Sequence, residues 1–261
     1  MTSTDVGKWA DYLYGAARRN EAVPAITDIE PTLTTADAYA IQDELLERRL
    51  ASGEQLVGAK VGLTSRAKQQ EMGIDEPVYG WLTDAMALEA GSSLGLSTLI
   101  HPRAEPEIVF VLGRRLAGPG VGIHEVLAAT SAVCCGLEVL DSRFVGFRFL
   151  LPDVVADNTS ASGFVLGSIT TPPAGIDLSL TGCLLEENGD VVATAAGAAI
   201  LAHPAMAVAK LANFLGQRGR HLEPGWVVLS GGLTAARPLT PGSQLLATFA
   251  HLGSVGIGAE A

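Results

Sequence analysis

His101-Pro102-Arg103-Ala104-Glu105-Pro106-Glu107-Ile108-Val109-Phe110-Val111-Leu112 is the stretch whose reading decides the fold. Successive side chains of a strand point to opposite faces. Glu105, Glu107, Val109 and Val111 therefore share one face, and Pro106, Ile108, Phe110 and Leu112 the other. Both faces of the second half are apolar, which marks an interior strand. Two carboxylates at the end of such a strand repel each other and lose solvation. A cation resolves that conflict. Glu138 poses the same problem, alone in the apolar run Ala132-Val133-Cys134-Cys135-Gly136-Leu137-Glu138-Val139-Leu140. Three oxygen ligands without His or thiolate suit a hard ion, Mg²⁺ or Mn²⁺, with positions left for water or substrate. Ion pairs with Arg103, Arg114 or Arg143 would satisfy the same glutamates, and Glu-x-Glu is common on solvated strand faces. Spacing alone leaves both readings open.

Around this stretch, short apolar runs alternate with Gly, Pro and Asn turns, the pattern of a β-rich unit. Strands are expected over 105–113, 134–141, 162–167, 178–187, 191–195, 226–230 and 244–252. Asn188-Gly189 marks a hairpin, because both central positions of its turn need positive φ. Helices are expected from His124 to Val133 and from Pro204, a good first helical residue, through Val208, Leu211 and Leu215. Upstream of residue 100 the texture is helical. Ser3 or Thr4 can cap a helix with Trp9, Leu13 and Ala17 on its apolar side, and the two prolines of Glu21 to Pro31 predict a loop. Thr34-Thr35-Ala36-Asp37 resembles a capping box that opens a helix with Ala38, Ile41 and Leu45 on one face, stopped by Gly53. Leu56 to Leu63 reads as a strand, and Ser65 caps a short helix ending at Gly73. The chain is thus a single integrated α+β unit, with a helical N-terminal lobe (1–85) that contributes Lys60 and a β-rich core (86–261).

The 261 residues suffice to bury a large core without disulfides. Cys134, Cys135 and Cys183 form no C-x-x-C pair and read as buried small apolar residues. With 17 basic against 28 acidic residues the net charge is −11, which argues against a nucleic-acid partner. No run approaches the roughly 20 apolar residues of a membrane span, and Met1 to Lys8 has no signal-peptide core, so the expected compartment is the cytoplasm.

Lys60 is the second anomaly, inside Leu56-Val57-Gly58-Ala59-Lys60-Val61-Gly62-Leu63. It is either an edge-strand charge or an amine pointing into a site, and no phosphate-loop order surrounds it. The third cluster, Asp157-Asn158-Thr159-Ser160-Ala161-Ser162-Gly163, either satisfies its own backbone or presents its polar groups to a carboxylate substrate. No histidine sits in a hydrolase triad motif.

Lys60-Val61-Gly62-Leu63-Thr64-Ser65, Pro77-Val78-Tyr79-Gly80, Pro102-Arg103-Ala104-Glu105-Pro106-Glu107, Glu138-Val139-Leu140-Asp141-Ser142-Arg143 and Asp157-Asn158 occur in that order. With Leu229-Ser230-Gly231-Gly232-Leu233 and Leu252-Gly253-Ser254-Val255, this series resembles the hydratase/decarboxylase branch of the fumarylacetoacetate hydrolase superfamily. The likeness spans nearly the whole chain. It implies a mixed β-roll core of the fumarylacetoacetase type and a divalent ion, Mg²⁺ or Mn²⁺, on Glu105, Glu107 and Glu138. It implies an acid/base or charge-stabilising role for Lys60, with Asp157 and Ser160 as further catalytic candidates. Leu63, Tyr79, Arg143, Asn158, Ser162, Ser230 and Gly231 become candidate substrate contacts.

Members of that branch act on intermediates of aromatic meta-cleavage, using the ion as a Lewis acid on developing enolate charge. Hydratases of the branch commonly carry an acidic residue where this chain has Val78, and the decarboxylases resemble it more closely there. The expected reaction is decarboxylation of 2-oxohex-3-enedioate, with hydration of 2-hydroxypenta-2,4-dienoate as the alternative. Arg143, Arg148 and Arg103 are candidates for the distal carboxylate. A C–C hydrolase acting on acylpyruvates and a non-catalytic partner subunit are the other readings. The resemblance also implies a homo-oligomer that associates with a paired hydratase or decarboxylase.

Overall fold

The computed structural model describes residues 4–65, 69–70 and 73–261. Ser3 and most of the helix expected between Ser65 and Gly73 lie outside them. Helix α1 (Val6–Arg19) is capped by Asp5, whose carboxylate accepts from the Lys8 amide, rather than by Thr4. The loop expected next holds a single helical turn, α2 (Ile26–Ile29). Helix α3 (Thr35–Ala51) opens with the full Thr34/Asp37 capping box and buries Ala38, Ile41 and Leu45.

Strands β1 (Leu56–Gly62) and β2 (Val78–Thr83) follow, then the short β3 (Ala87–Leu88) and β4 (Ser93–Gly95). The deciding stretch is β5 (Pro102–Leu112). Helix α4 (Ile123–Ala129) stops four residues before the expected Val133, because Thr130 to Val133 pair with β5 as the start of β6 (Thr130–Asp141). Tertiary pairing overrides the helical pattern there. Next come α5 (Leu151–Ala156), β7 (Ala161–Leu166), and the hairpin of β8 (Gly182–Glu187) and β9 (Asp190–Ala196). Asn188 and Gly189 turn that hairpin with φ of 54° and 90°. Helix α6 (Pro204–Gln217), β10 (Val227–Leu229), β11 (Arg237–Pro238), β12 (Gln244–Phe249) and β13 (Gly253–Glu260) complete the chain.

The main sheet has the order β2-β1-β10-β5-β6-β7-β3, with β11 on β5. It curls until β2 packs against β7. One face of the curl encloses Leu82, Val109, Cys134, Phe164, Val227 and Leu229, contributed by five of its strands. The other face belongs to the larger core, where Ile108, Phe110 and Leu112 are buried, so β5 separates its two faces as the alternation requires. The second sheet, β4-β13-β12-β8-β9, lies on β6 and β7 through β12 and β13. Helix α6 covers β1, and α3 packs between α1 and α5. All three cysteines are buried. The chain is α+β with a rolled sheet at its centre, and β1 and β2 of the first 85 residues belong to that sheet.

Candidate active site

The enclosed face of the rolled sheet is apolar at one end and charged at the other. Register explains the charged end. Glu105 stands opposite Glu138, and Glu107 opposite Gly136, whose missing side chain leaves space for a carboxylate. One oxygen from each glutamate lies within 4.8 Å of the others, and the three side chains are 5%, 0% and 1% exposed. Glu107 Oε2 accepts from the Gly231 amide at 2.6 Å, while its Oε1 has no hydrogen-bond donor among the described residues. Burial, the Glu138 charge and then Glu105 push the Glu107 carboxyl well above the ordinary range, with Lys60 pulling the other way. Glu138 is raised for the same first reason, against the pull of Lys60. Excess buried negative charge and an orphaned lone pair are what a hard divalent cation satisfies, and the all-oxygen donor set matches Mg²⁺ or Mn²⁺. The residues fit such an ion.

Backbone closes the site from behind. Ser230 donates through Oγ to the Ile108 carbonyl at 2.7 Å, and Gly231 adopts φ 113°. A Cβ on Gly232 would fall 1.8 Å from Glu105 Oε2. The Ser230-Gly231-Gly232 segment therefore lies flat across two of the carboxylates.

Lys60 projects from the middle of β1, 3% exposed, with Nζ 2.9 Å from Glu138 Oε1 and donating to the Thr159 carbonyl at 3.2 Å. That carbonyl belongs to an unusual turn. Asn158, Thr159 and Ser160 all have left-handed φ, at 51°, 50° and 57°. Each such non-glycine residue costs about 1 kcal/mol or more. Neighbouring groups hold the turn. The Asn158 amide donates to the Trp81 carbonyl at 2.9 Å and accepts from the Trp81 N–H at 2.8 Å, imitating a strand partner for β2. Gln42 donates to the carbonyls of both Tyr79 and Val155 at 2.8 Å. Asp157 is fixed by Arg143, which donates from Nε to the carboxylate and from Nη2 to the Asp157 carbonyl. Burial still lifts the Asp157 carboxyl to about 6, although Arg143 opposes it.

In front of Lys60 and Glu105 opens a cleft of about 520 Å³. Lys60, Arg103 and Arg148 line it, Glu105 is the one lining carboxylate among the described residues, and Leu63, Val78, Phe147 and Phe149 supply apolar walls. The Arg103 guanidinium stacks 4.0 Å from the Phe147 ring centre.

The structure brings together Lys60, Leu63, Ser160 and Glu105 at the cleft, with Glu107 and Glu138 clustered behind Glu105. It does not bring the others there. Tyr79 follows Val78 on a strand, so its side chain leaves by the opposite face and its ring packs 4.6 Å from Phe214. Asp157 and Asn158 stand behind the turn as its anchors, and Ser230 and Gly231 back the glutamates. Arg143 and Ser162 line a separate cavity. Of the three arginines considered for a distal carboxylate, Arg103 and Arg148 reach the cleft and Arg143 does not. Sequence reasoning missed Phe147 and Phe149, and it noted Thr159 only as a member of the polar 157–163 cluster. The alternation Phe147-Arg148-Phe149, just past the strand of Glu138, was a usable signal for the first two. Thr159 meets Lys60 through its carbonyl, which its side-chain type could not signal.

No family model matches the chain. The chain is 43% identical over 255 residues to a 4-oxalocrotonate decarboxylase of Pseudomonas sp. (strain CF600), covering 98% of this chain and 97% of that one. It is 44% identical over 220 residues to a 2-hydroxypent-2,4-dienoate hydratase of Pseudomonas putida, covering 84% and 99%. The structure of 4-oxalocrotonate decarboxylase from Pseudomonas putida G7, complexed with magnesium and adipate, superposes with a TM-score of 0.96 at 39% identity, covering 99% and 98%. Fumarylpyruvate hydrolase from Pseudomonas aeruginosa shares the fold, at TM-score 0.62 and 15% identity over 78% of this chain and 89% of that one. A buried glutamate triad beside Lys60 and relatives matched over nearly their full length agree: the chain belongs to the hydratase/decarboxylase family of the fumarylacetoacetate hydrolase superfamily.

Proposed function

We propose that the chain is a divalent-metal-dependent lyase that decarboxylates 2-oxohex-3-enedioate to 2-hydroxypenta-2,4-dienoate. The observation that carries this reading is the charge of the cleft. Among the described residues three cationic side chains and one glutamate line it, and Val78 is apolar at the position where the hydratases that this chain resembles commonly carry an acidic residue. Such a cleft suits a substrate with a carboxylate at each end.

Glu105, Glu107 and Glu138 would hold Mg²⁺ or Mn²⁺, and a bound ion there supplies Lewis-acid stabilisation of charge on the substrate's C2 oxygen. The chain's own residues do the rest. Arg103 and Arg148 attract the distal carboxylate. Leu63, Val78, Phe147 and Phe149 exclude water around C4 to C6, where a low dielectric favours loss of the charged group as CO₂. As the C5–C6 bond breaks, its electron pair moves through C4 and C3 to the C2 oxygen. The Lys60 ammonium has three N–H donors. Two point to Glu138 and the Thr159 carbonyl, and the third, which meets no other acceptor among the described residues, can stabilise that oxygen and deliver a proton to it. Thr159 keeps Nζ in place, and Ser160 closes the cleft beside it.

The second reading is hydration of 2-hydroxypenta-2,4-dienoate, favoured by hydratase relatives of equal identity. Product analysis with Mg²⁺ separates the two. CO₂ from 2-oxohex-3-enedioate supports decarboxylation. Conversion of only the dienol to 4-hydroxy-2-oxopentanoate overturns it. On the same reading the enzyme is cytoplasmic, forms a homo-oligomer and associates with the hydratase that consumes its product, which co-purification of the two would check.

A further inference from the structure

Behind the catalytic turn lies a second cavity of about 510 Å³ that the proposed reaction does not use. Three guanidinium groups face it: Arg18 of α1, Arg49 of α3 and Arg143, which follows β6. Their donors are incompletely satisfied. Arg143 gives Nε and Nη2 to Asp157, and its Nη1 has no acceptor among the described residues. Arg49 touches Glu54 only at 3.4 Å, and its Nε has no partner among the described residues. Arg18 stacks near the Tyr14 ring and has no carboxylate partner among the described residues. Of the two acidic groups of the lining, Glu54 is Arg49's partner at 3.4 Å and Asp141 is turned to backbone amides. Asp141 accepts from the amides of Ile100 and His101, and Glu54 also accepts from the Thr83 hydroxyl. Burial, with Arg143 nearby and against Glu54, holds Arg49 below the usual guanidinium value. Glu54 and Asp157 offset Arg49 and Arg143 only in part, since donors of both remain open among the described residues, and an anion between the two guanidinium groups would relieve their repulsion. The hydroxyls of Tyr14 and Ser162 add neutral donors to the same walls.

We infer that this cavity is a binding site for a small oxyanion, a carboxylate or phosphate, held by Arg18, Arg49 and Arg143. Planar guanidinium groups recognise both anions through paired N–H···O bonds, so the chemistry is shared and the source must be told apart by titration. The site is separate from the cleft, which the Arg143–Asp157 pair and the 158–160 turn divide from it.

The test is calorimetric titration of the full chain in EDTA, at constant ionic strength, with inorganic phosphate in one arm and succinate in the other. The arm with tighter binding identifies the source. Arg18→Gln, at an exposed position on α1 that leaves the core untouched, should weaken the tighter ligand about tenfold. Arg148→Gln removes a cleft arginine and should leave that affinity within about twofold. Circular dichroism of both variants checks that they fold. Saturable binding with this pattern supports the site. Absence of saturable binding in both arms overturns it, as does any other pattern, including loss in Arg148→Gln, which would put the anion in the cleft.

Discussion

Glu107 shows most sharply what the site demands of single residues. It is fully buried, it faces Glu105 and Glu138, and one of its oxygens has no donor among the described residues. Without an ion its charge is a liability, so Glu107→Gln should stabilise the metal-free protein while removing a ligand. The amide oxygen can still accept from Gly231, and the new N–H₂ can donate to the neighbouring carboxylates. Changes in the outer shell of metal sites already cost 10- to 100-fold in affinity, so loss of a ligand should exceed about 100-fold, with turnover falling alongside. Unchanged activity at limiting Mg²⁺ would remove Glu107 from the site. The same charges set a pH dependence. Glu107 and Glu138 have raised carboxyl pKa values in the fold, so the folded metal-free state binds protons more tightly than the unfolded one. Their contribution is present at low pH and lost as pH rises through the raised values. Thermal stability of the metal-free protein should therefore fall as pH rises from the ordinary carboxylate range through the raised values, and saturating Mg²⁺ should flatten the slope. At this scale the sequence was readable where chemistry clashed with environment, as with carboxylates or lysine inside apolar runs. It was not readable where only direction matters. Val78 and Tyr79 are adjacent on a strand, only one can face the cleft, and nothing local says which.

Among the elements, the left-handed turn at Asn158–Ser160 joins local strain to function. It exists because β2 lets it in. A Cβ on Gly80 would lie 2.3 Å from Thr159 Oγ1 and 2.8 Å from the Asn158 carbonyl. Gly80→Ala should push the turn away from β2, costing about 1–3 kcal/mol as overpacked sites do. The Thr159 carbonyl would then leave Lys60, and misplacement near 1 Å can lower turnover by about 100-fold. The glutamates remain in place, so Mg²⁺ affinity should stay close to the parent value. Comparison of kcat with metal affinity checks this, and joint loss of both would mean that the turn is only structural support. Element identity was mostly legible from periodicity, capping and the Asn188-Gly189 hairpin. The misses have physical causes. In β13, Val255, Ile257 and Ala259 are buried while Gly256 and Gly258 occupy the other face, so the strand reads as a glycine-rich loop. In β2 all six residues are buried, and with glycine in the middle no alternation survives to betray a strand.

For the molecule as a whole, the question is whether the N-terminal 85 residues form a lobe that could stand apart. Helices α1 to α3 have the composition of a separate layer, but β1 and β2 lie in the rolled sheet. β1 runs parallel to β10, with Lys60 beside Leu229, and β10 in turn pairs with β5. Val57 and Leu82 pack against the enclosed cluster that backs the charged end. Removing residues 1–85 would strip β10 of a partner, leaving an unpaired edge and an open apolar face, a combination that favours aggregation. It would also remove Lys60, the cation that most directly offsets Glu138. Residues 86–261 expressed alone should therefore be insoluble or lack a cooperative melt, and should bind no Mg²⁺. The intact chain should unfold in one step. Trp9 lies in α1, Trp81 in β2 and Trp226 beside β10, so fluorescence samples both parts of the molecule. Its denaturant transition should coincide with that of far-ultraviolet circular dichroism. Two separated transitions, or a soluble 86–261 fragment with a sharp melt, would show that the core is independent and that Lys60 is delivered to it by a docked lobe.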